Sequence, residues 1–339
     1  MNFTTDQAGT VTAIKITNPF GALSPIQNVM NKFINLNFVG SDTFSGGGTK
    51  YWNYAINLIS VSNNDFRAIN LNGGAPNQQG NGVWLQGVSN RYSVVSNFID
   101  STFSNCNTAI TFGDWAQGLQ VANGNFMNCT NGIITPSSAA GVLSEISVVN
   151  SQFGYNVRDI ITNSSADDVH LANNLFLDET NNSGGAFISS AFYTVTGNTW
   201  VATAVPTLGY ALTIANNSGT YCASANYFCT GTVSGNTFTN TLGGINISSG
   251  ASPVVFGNTF TGIASNTITN GSTLAYIYDN PGGNYITPFA SLPTCNTANE
   301  QVRLKALGAS GLTWGATLTT GSTPYEVNCN GTNWTVEGK

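Results

Sequence analysis

Charged residues make up only 7% of this 339-residue chain, so the place where they gather carries information. Glu145, Asp159, Asp167, Asp168, Asp178 and Glu179 fall within 35 residues, together with Arg158 and the chain's only histidine, His170. Two carboxyl groups held close together divide their roles, because ionising one raises the pKa of the other and leaves one proton donor and one base. Cleavage of a glycosidic bond needs that division, with carboxyl groups ~5–5.5 Å apart in retaining enzymes and ~6.5–9.5 Å apart in inverting ones. The pair singled out is Glu145 and Asp168, which stand eight residues ahead of Phe153 and Phe176 respectively. In an extended strand His170 lies on the same face as Asp168 and can orient a carboxyl or relay a proton. Asp114 and Trp115 offer a further acid and an aromatic platform for a sugar ring. Arg158, Asp159 and Asp167 are candidates for substrate contact, with Arg158 and Asp159 read most simply as an ion pair. Asp178 and Glu179 follow their aromatic and rank lower. The bland alternative makes Glu145 and Asp168 solvated surface acids, with His170 adding one hydrogen bond.

What must position these groups is a repeat. The pattern V-x-x-N-x-F occurs at VSGNTF ending in Phe238, VVFGNTF in Phe260, VTGNTW in Trp200, LANNLF in Phe176 and VSNNDF in Phe66, with looser copies at Phe38, Phe103, Phe126 and Phe153. Most intervals between these aromatics are 22 to 28 residues and two are near 37, too irregular for a leucine-rich repeat. Short alternating runs between copies read as strands, and the Gly, Asn, Ser and Thr around them as turns. A unit of strand, Asn turn, strand, loop and strand buries its apolar face only by stacking on its next copy, which predicts an all-β, right-handed, single-stranded parallel β-helix. Adjacent copies then lie ~4.8 Å apart, and Asn174, Asn198, Asn236 and Asn258 form a ladder along the turn. A β-sandwich with unrelated turns is the alternative.

Alternation places Leu119 and Val121, Ile146 and Val148, and Val169 and Leu171 inside, with Gly118 and Gln120, Glu145 and Ser147, and Asp168 and His170 outside. Glu145 and Asp168 are therefore expected to stack on neighbouring coils. A second strand reads NGIIT, RDIIT and GAFIS, with Ile134, Ile161 and Ile188 spaced 27 residues apart beside Ile133, Ile160 and Phe187. One of these two columns faces outward unless the strand bends, and an outward apolar ladder reads as an interface. Tyr51, Trp52 and Tyr54 offer either a sugar-stacking shelf or closure of the first coil.

Carried by the V-x-x-N-x-F turn over roughly residues 10 to 285, the chain resembles the pectate-lyase-like right-handed β-helix superfamily and, within it, the phage tailspike proteins. The resemblance implies a homotrimer acting on a bacterial polysaccharide, from a virion tail or outside the cell. It identifies fold better than function, since lyases, hydrolases and non-enzymatic adhesins share the architecture. The Gly-Asp-Asp and Gly-His-Gly signatures of its galacturonan hydrolases are not matched by Ala166-Asp167-Asp168 or by the flanks of His170. The ending LPTC, WGATLTTG and VNCNGTNW resembles a small C-terminal module of tail and prophage proteins.

The organisation expected is a cap or first coil over residues 1–30, a β-helix over 31–285 and a small β module, a candidate trimerisation element, over 286–339. A net charge of −6 without a basic stripe argues against nucleic acid. No apolar run reaches the ~18 residues of a membrane span, so no membrane insertion is expected. The first residues lack a secretory signal pattern, which points to cytosolic synthesis, processing or a fragment. Cys222 with Cys229 and Cys295 with Cys329 are disulfide candidates. Cys106 and Cys129 each follow an aromatic by three residues, so they stack either as a bridge or as buried thiols. No C-x-x-C spacing is present, and neither a metal nor a cofactor is expected. The function expected is binding and acid/base depolymerisation of a capsule or exopolysaccharide, as a glycoside hydrolase rather than a lyase. The alternatives are a non-enzymatic carbohydrate-binding fibre or adhesin and a secreted polysaccharide lyase.

Overall fold

A computed structural model describes residues 1–18, 31–41, 49–74, 79–89, 92–136, 141, 144–163, 166–177, 185–203, 209–216, 230–272, 274–283, 292, 294–297 and 303–338. They form strands and turns, with no helix among the described residues. Two long sheets dominate, one of 18 strands and one of 10, and within each the pairings are parallel. A single repeat gives two strands to the larger sheet, such as Ala116–Ala122 and Asn125–Met127, and one to the smaller, such as Asn131–Ile134. Each strand pairs with its counterpart in the next repeat, so the strands stack as rungs. Asn2–Thr5 and Thr12–Thr17 already belong to this stack, pairing with Asn31–Gly40 and Tyr54–Ile59.

The apolar residues explain the stacking. Inward columns such as Leu119, Ile146 and Val169 from the larger sheet, and Ile110, Ile133 and Ile160 from the smaller, are buried in one continuous core. Phe103, Phe126, Phe153, Phe176, Trp200, Phe238 and Phe260 stack face to face through that core, with ring centroids 4.6 to 5.4 Å apart. That separation brackets the ~4.8 Å between hydrogen-bonded strands, so the same side-chain type can repeat at each rung without strain.

The turn beside this column is held by asparagine. Asn174, Asn198, Asn236 and Asn258 each donate their Nδ2–H to the Oδ1 of the next, at 2.9, 3.0, 2.8 and 2.9 Å, and the run ends on Asn280. The backbone N–H of each donates to the same oxygen, and each Nδ2 also donates to a carbonyl of the previous rung. Asn174, Asn198, Asn236 and Asn258 are buried, so these bonds satisfy amides that water does not reach.

Two registers differ from the sequence reading. Phe66 lies in the ladder with Phe33 and Phe98, while Leu71 occupies the position of Phe38 and Phe103. The strand Asn64–Asn72 runs through its turn without a break and carries an aromatic in an earlier position. In the smaller sheet Ile161 pairs with Phe187, not with Ile188, because Ile160 stacks on Ala186. Ile188 is buried and Phe187 is 37% exposed. The outward column is therefore Trp84, Thr111, Ile134, Ile161 and Phe187.

Arg303–Gly308, Thr323–Cys329 and Trp334–Gly338 form a separate antiparallel sheet with its own core of Ala306, Leu318, Tyr325, Val327, Trp334 and Val336. A disulfide joins Cys295 to Cys329 at the edge of this core, and another joins Cys106 to Cys129 on adjacent rungs. Cys222 and Cys229 lie outside the described residues.

Candidate functional site

The acids singled out from the sequence sit on neighbouring strands of the larger sheet, Ser144–Val149 and Ala166–Ala172. Below them in the stack lies Ala116–Ala122 and above them Ser190–Thr196. Outward positions align as Gln120, Ser147, His170 and Thr194 across these four strands. This column carries amide, hydroxyl and imidazole groups while the alternate positions fill the core.

Glu145 is placed by a kink. The ladder pairs Gln117 with Ser144 and then Leu119 with Ile146, stepping over Gly118 and Glu145. Both skipped residues have left-handed backbones, φ +72° at Gly118 and +46° at Glu145, and Val95 one rung lower has +56°. A residue that leaves the ladder re-aims its side chain, and a non-glycine residue held left-handed costs on the order of 1–3 kcal/mol. Glu145 is exposed, and its Oε1 accepts a hydrogen bond from Gln120 Nε2 at 3.3 Å. Asp168 is in regular extended backbone, and its Oδ1 lies 3.1 Å from His170 Nε2 with both side chains about two-fifths exposed, 41% and 44%.

The two acids thus occupy adjacent rungs, each directly ahead of the laddered pair Ile146 and Val169. Glu145 is engaged with the rung below and Asp168 with the histidine of its own strand. Both acids are open to solvent, where a ligand placed across the strands would meet them.

Asp114 and Trp115 lie in the turn that enters Ala116–Ala122, where the Asp114 carbonyl accepts from the Gly87 N–H at 2.5 Å. Trp115 is half-buried. The Tyr92 ring meets it at 5.6 Å and 70°, and Gly141 packs so closely on it that an added Cβ would lie 2.5 Å from Cε3. Tyr92 and Gly141 thus hold the half-buried indole in place.

Asp159 differs from the sequence reading in a clear way: it is fully buried, accepts from Asn156 Nδ2 at 2.7 Å, and belongs to the core of the smaller sheet. Arg158, next to it, is exposed, because successive residues of a strand face opposite ways. Neither joins Glu145 and Asp168, which are on the other sheet. The side chain of Asp167 and the whole of Asp178 and Glu179 lie outside the described residues. No group of three or more His, Cys, Asp or Glu side chains converges for a metal ion among the described residues.

Sequence reasoning missed Phe192. It is 42% exposed and is the ladder partner of Asp168 on the next rung. The signal was present: Val195 follows Leu171 at the same place in the repeat, which carries Phe192 beside Asp168. A cavity of about 490 Å³ lies elsewhere, between the last rungs and the C-terminal sheet, lined in part by Tyr278, Asp279, Lys305 and Glu326. None of the candidate site residues borders it.

Comparison of the chain with protein-family models, with curated proteins and with solved structures finds no match.

Proposed function

We propose that the chain is a tailspike-like protein that binds a bacterial surface polysaccharide and hydrolyses its glycosidic bonds. In this reading the two parallel sheets are faces of one right-handed, single-stranded β-helix, which acts as a homotrimer on a virion tail or outside the cell. The observation that carries it is the placement of Glu145 and Asp168 on adjacent rungs of one outer face, with Glu145 held in a strained backbone and Asp168 bonded to His170. Asp168, fixed by the imidazole, serves as base or nucleophile. Glu145, more exposed, donates its proton to the leaving oxygen. Such a pair, acting on opposite sides of the anomeric carbon, is the general machinery of glycoside hydrolysis.

A second reading, a non-enzymatic carbohydrate-binding fibre, draws on one specific observation: Glu145 is exposed and Asp168 is 41% exposed, so neither is withdrawn from water as catalytic acids often are. The test is a reducing-end and ultraviolet-absorbance assay on capsular and exopolysaccharides, with the parent protein beside Glu145→Gln and Asp168→Asn. Release of reducing ends by the parent, lost at least a hundredfold in both variants and with no rise in absorbance, is the expected result. A rise in absorbance would make the protein a lyase. Binding without any cleavage would establish the fibre.

A further inference from the structure

We infer that this site takes an uncharged glycan laid along the stacking direction, across the strands, with one sugar ring resting on Phe192. The inference rests on the carbohydrate reading above and adds the substrate's charge, its direction and a binding residue. Phe192 is a large apolar side chain left 42% exposed on an outer face whose neighbouring outward positions are polar. Its interior neighbour Tyr193 is buried, so packing does not demand an aromatic at the outward position. An exposed ring of this kind matches the apolar C–H face of a sugar.

Direction follows from the columns. From Gln120 through Glu145 and Asp168 to Phe192, the chain of neighbours crosses four strands. Three steps of ~4.8 Å span ~14 Å, the reach of about three sugar residues. The parallel outward column of Ser147, His170 and Thr194 adds a hydroxyl, an imidazole and a second hydroxyl along the same line. A glycan lying along the strands instead would meet Phe192 or the acids, not both.

Charge follows from composition. Strands Ser93–Ile99, Ala116–Ala122, Ser144–Val149, Ala166–Ala172 and Ser190–Thr196 contain no lysine or arginine, while Glu145 and Asp168 are acids and His170 is the one basic group on that face. A uronate polymer would bring its carboxylates against that face with little to neutralise them, whereas a neutral glycan meets hydrogen-bonding groups and the Phe192 ring.

The test uses the full chain carrying Glu145→Gln, so that binding is read apart from cleavage. The probes are neutral hexasaccharides of glucose, galactose and mannose, the corresponding trisaccharides and disaccharides, and an oligogalacturonide of six units. Binding is measured by calorimetry and by ligand-observed NMR. At least one neutral hexasaccharide is expected to bind, its trisaccharide to keep most of the affinity, and the disaccharide and the oligogalacturonide to bind at least tenfold more weakly. Phe192→Ala is expected to weaken binding about tenfold, Phe192→Trp to restore it, and Trp314→Ala, at a residue 81% exposed in a turn ahead of the strand Thr323–Cys329, to leave it unchanged. Unchanged affinity in Phe192→Ala, or preference for the oligogalacturonide, would overturn this inference while leaving carbohydrate binding in place. Failure to bind any probe would overturn it as well, and the cleavage assay on native polysaccharides then decides separately whether the broader reading stands.

Discussion

At the scale of single residues, Asp168 is tied to His170 of its own strand and Glu145 to Gln120 of the rung below. Glu145 and Asp168 were legible because each keeps a fixed distance from a core phenylalanine. Their surroundings were not, because the left-handed kink at Val95, Gly118 and Glu145 has no common residue type to announce it. Asp159 was misplaced because an acid in a polar repeat reads as surface, yet alternation puts it inside against Asn156. Tyr193 gives a prediction at this scale. Its hydroxyl is buried with no hydrogen-bond partner among the described residues, and burial raises its pKa above the ordinary 10.0. The neutral phenol is thus favoured in the folded chain, so its contribution is intact below pH 10.0 and is lost as the unfolded chain ionises at higher pH. Tyr193→Phe is expected to leave stability within about 1 kcal/mol of the parent at neutral pH, on the stabilising side. The same change should flatten the decline above pH 10.0, read as denaturation midpoints between pH 8 and 11. A loss of several kcal/mol at neutral pH would mean that the hydroxyl is bonded after all.

The elements are where the sequence was most readable, since a repeat states its own register. The Asn turn, the stacked rings and the alternating strands follow from one six-residue pattern. The two slips, Phe66 for Leu71 and Ile188 for Phe187, have one cause: equal spacing in sequence is a poor guide where one rung's strand or loop changes length by a residue or more. The ladder itself is testable. Asn236→Ala removes the acceptor of both Asn198 donors and the donor to the Val195 carbonyl, so it should cost about 3 kcal/mol or more. Asn280→Ala, at the end of the run and only partly buried, should cost about 1 kcal/mol. Chemical denaturation of both variants checks this, and equal losses would show that the ladder is not what holds the turn. Reduction of the Cys106–Cys129 bridge, which spans 23 residues, is expected to cost about 3 kcal/mol by the loop-entropy account. Thermal unfolding of Cys106→Ser/Cys129→Ser, with Cys295 and Cys329 intact, isolates that term.

Across the whole molecule, the outward column Trp84, Thr111, Ile134, Ile161 and Phe187 keeps four large apolar side chains only partly buried. Under the proposed homotrimer it is covered by neighbouring copies, and Ile161→Lys should convert trimer to monomer in sedimentation velocity at micromolar concentration. A parent protein that sediments as a monomer would remove the trimer from the reading. Whole-molecule form was legible only as a stack, because the sequence repeats its rungs and says nothing of what meets their outer faces.

The asparagine run has a consequence for how such a protein can change over generations. Asn236, Asn258 and Asn280 are 22 residues apart, and each accepts from the Asn before it, while Asn236 and Asn258 also donate to the Asn after. A gene duplication that copied the 22 residues from Thr237 to Asn258 would insert a rung whose amide accepts from the one before and donates to the one after. Its phenylalanine would slot between Phe238 and Phe260, whose rings are already 5.0 Å apart. The length of the stack is in this sense a copy number, open to lengthening by unequal recombination while the acids of the earlier rungs stay where they are.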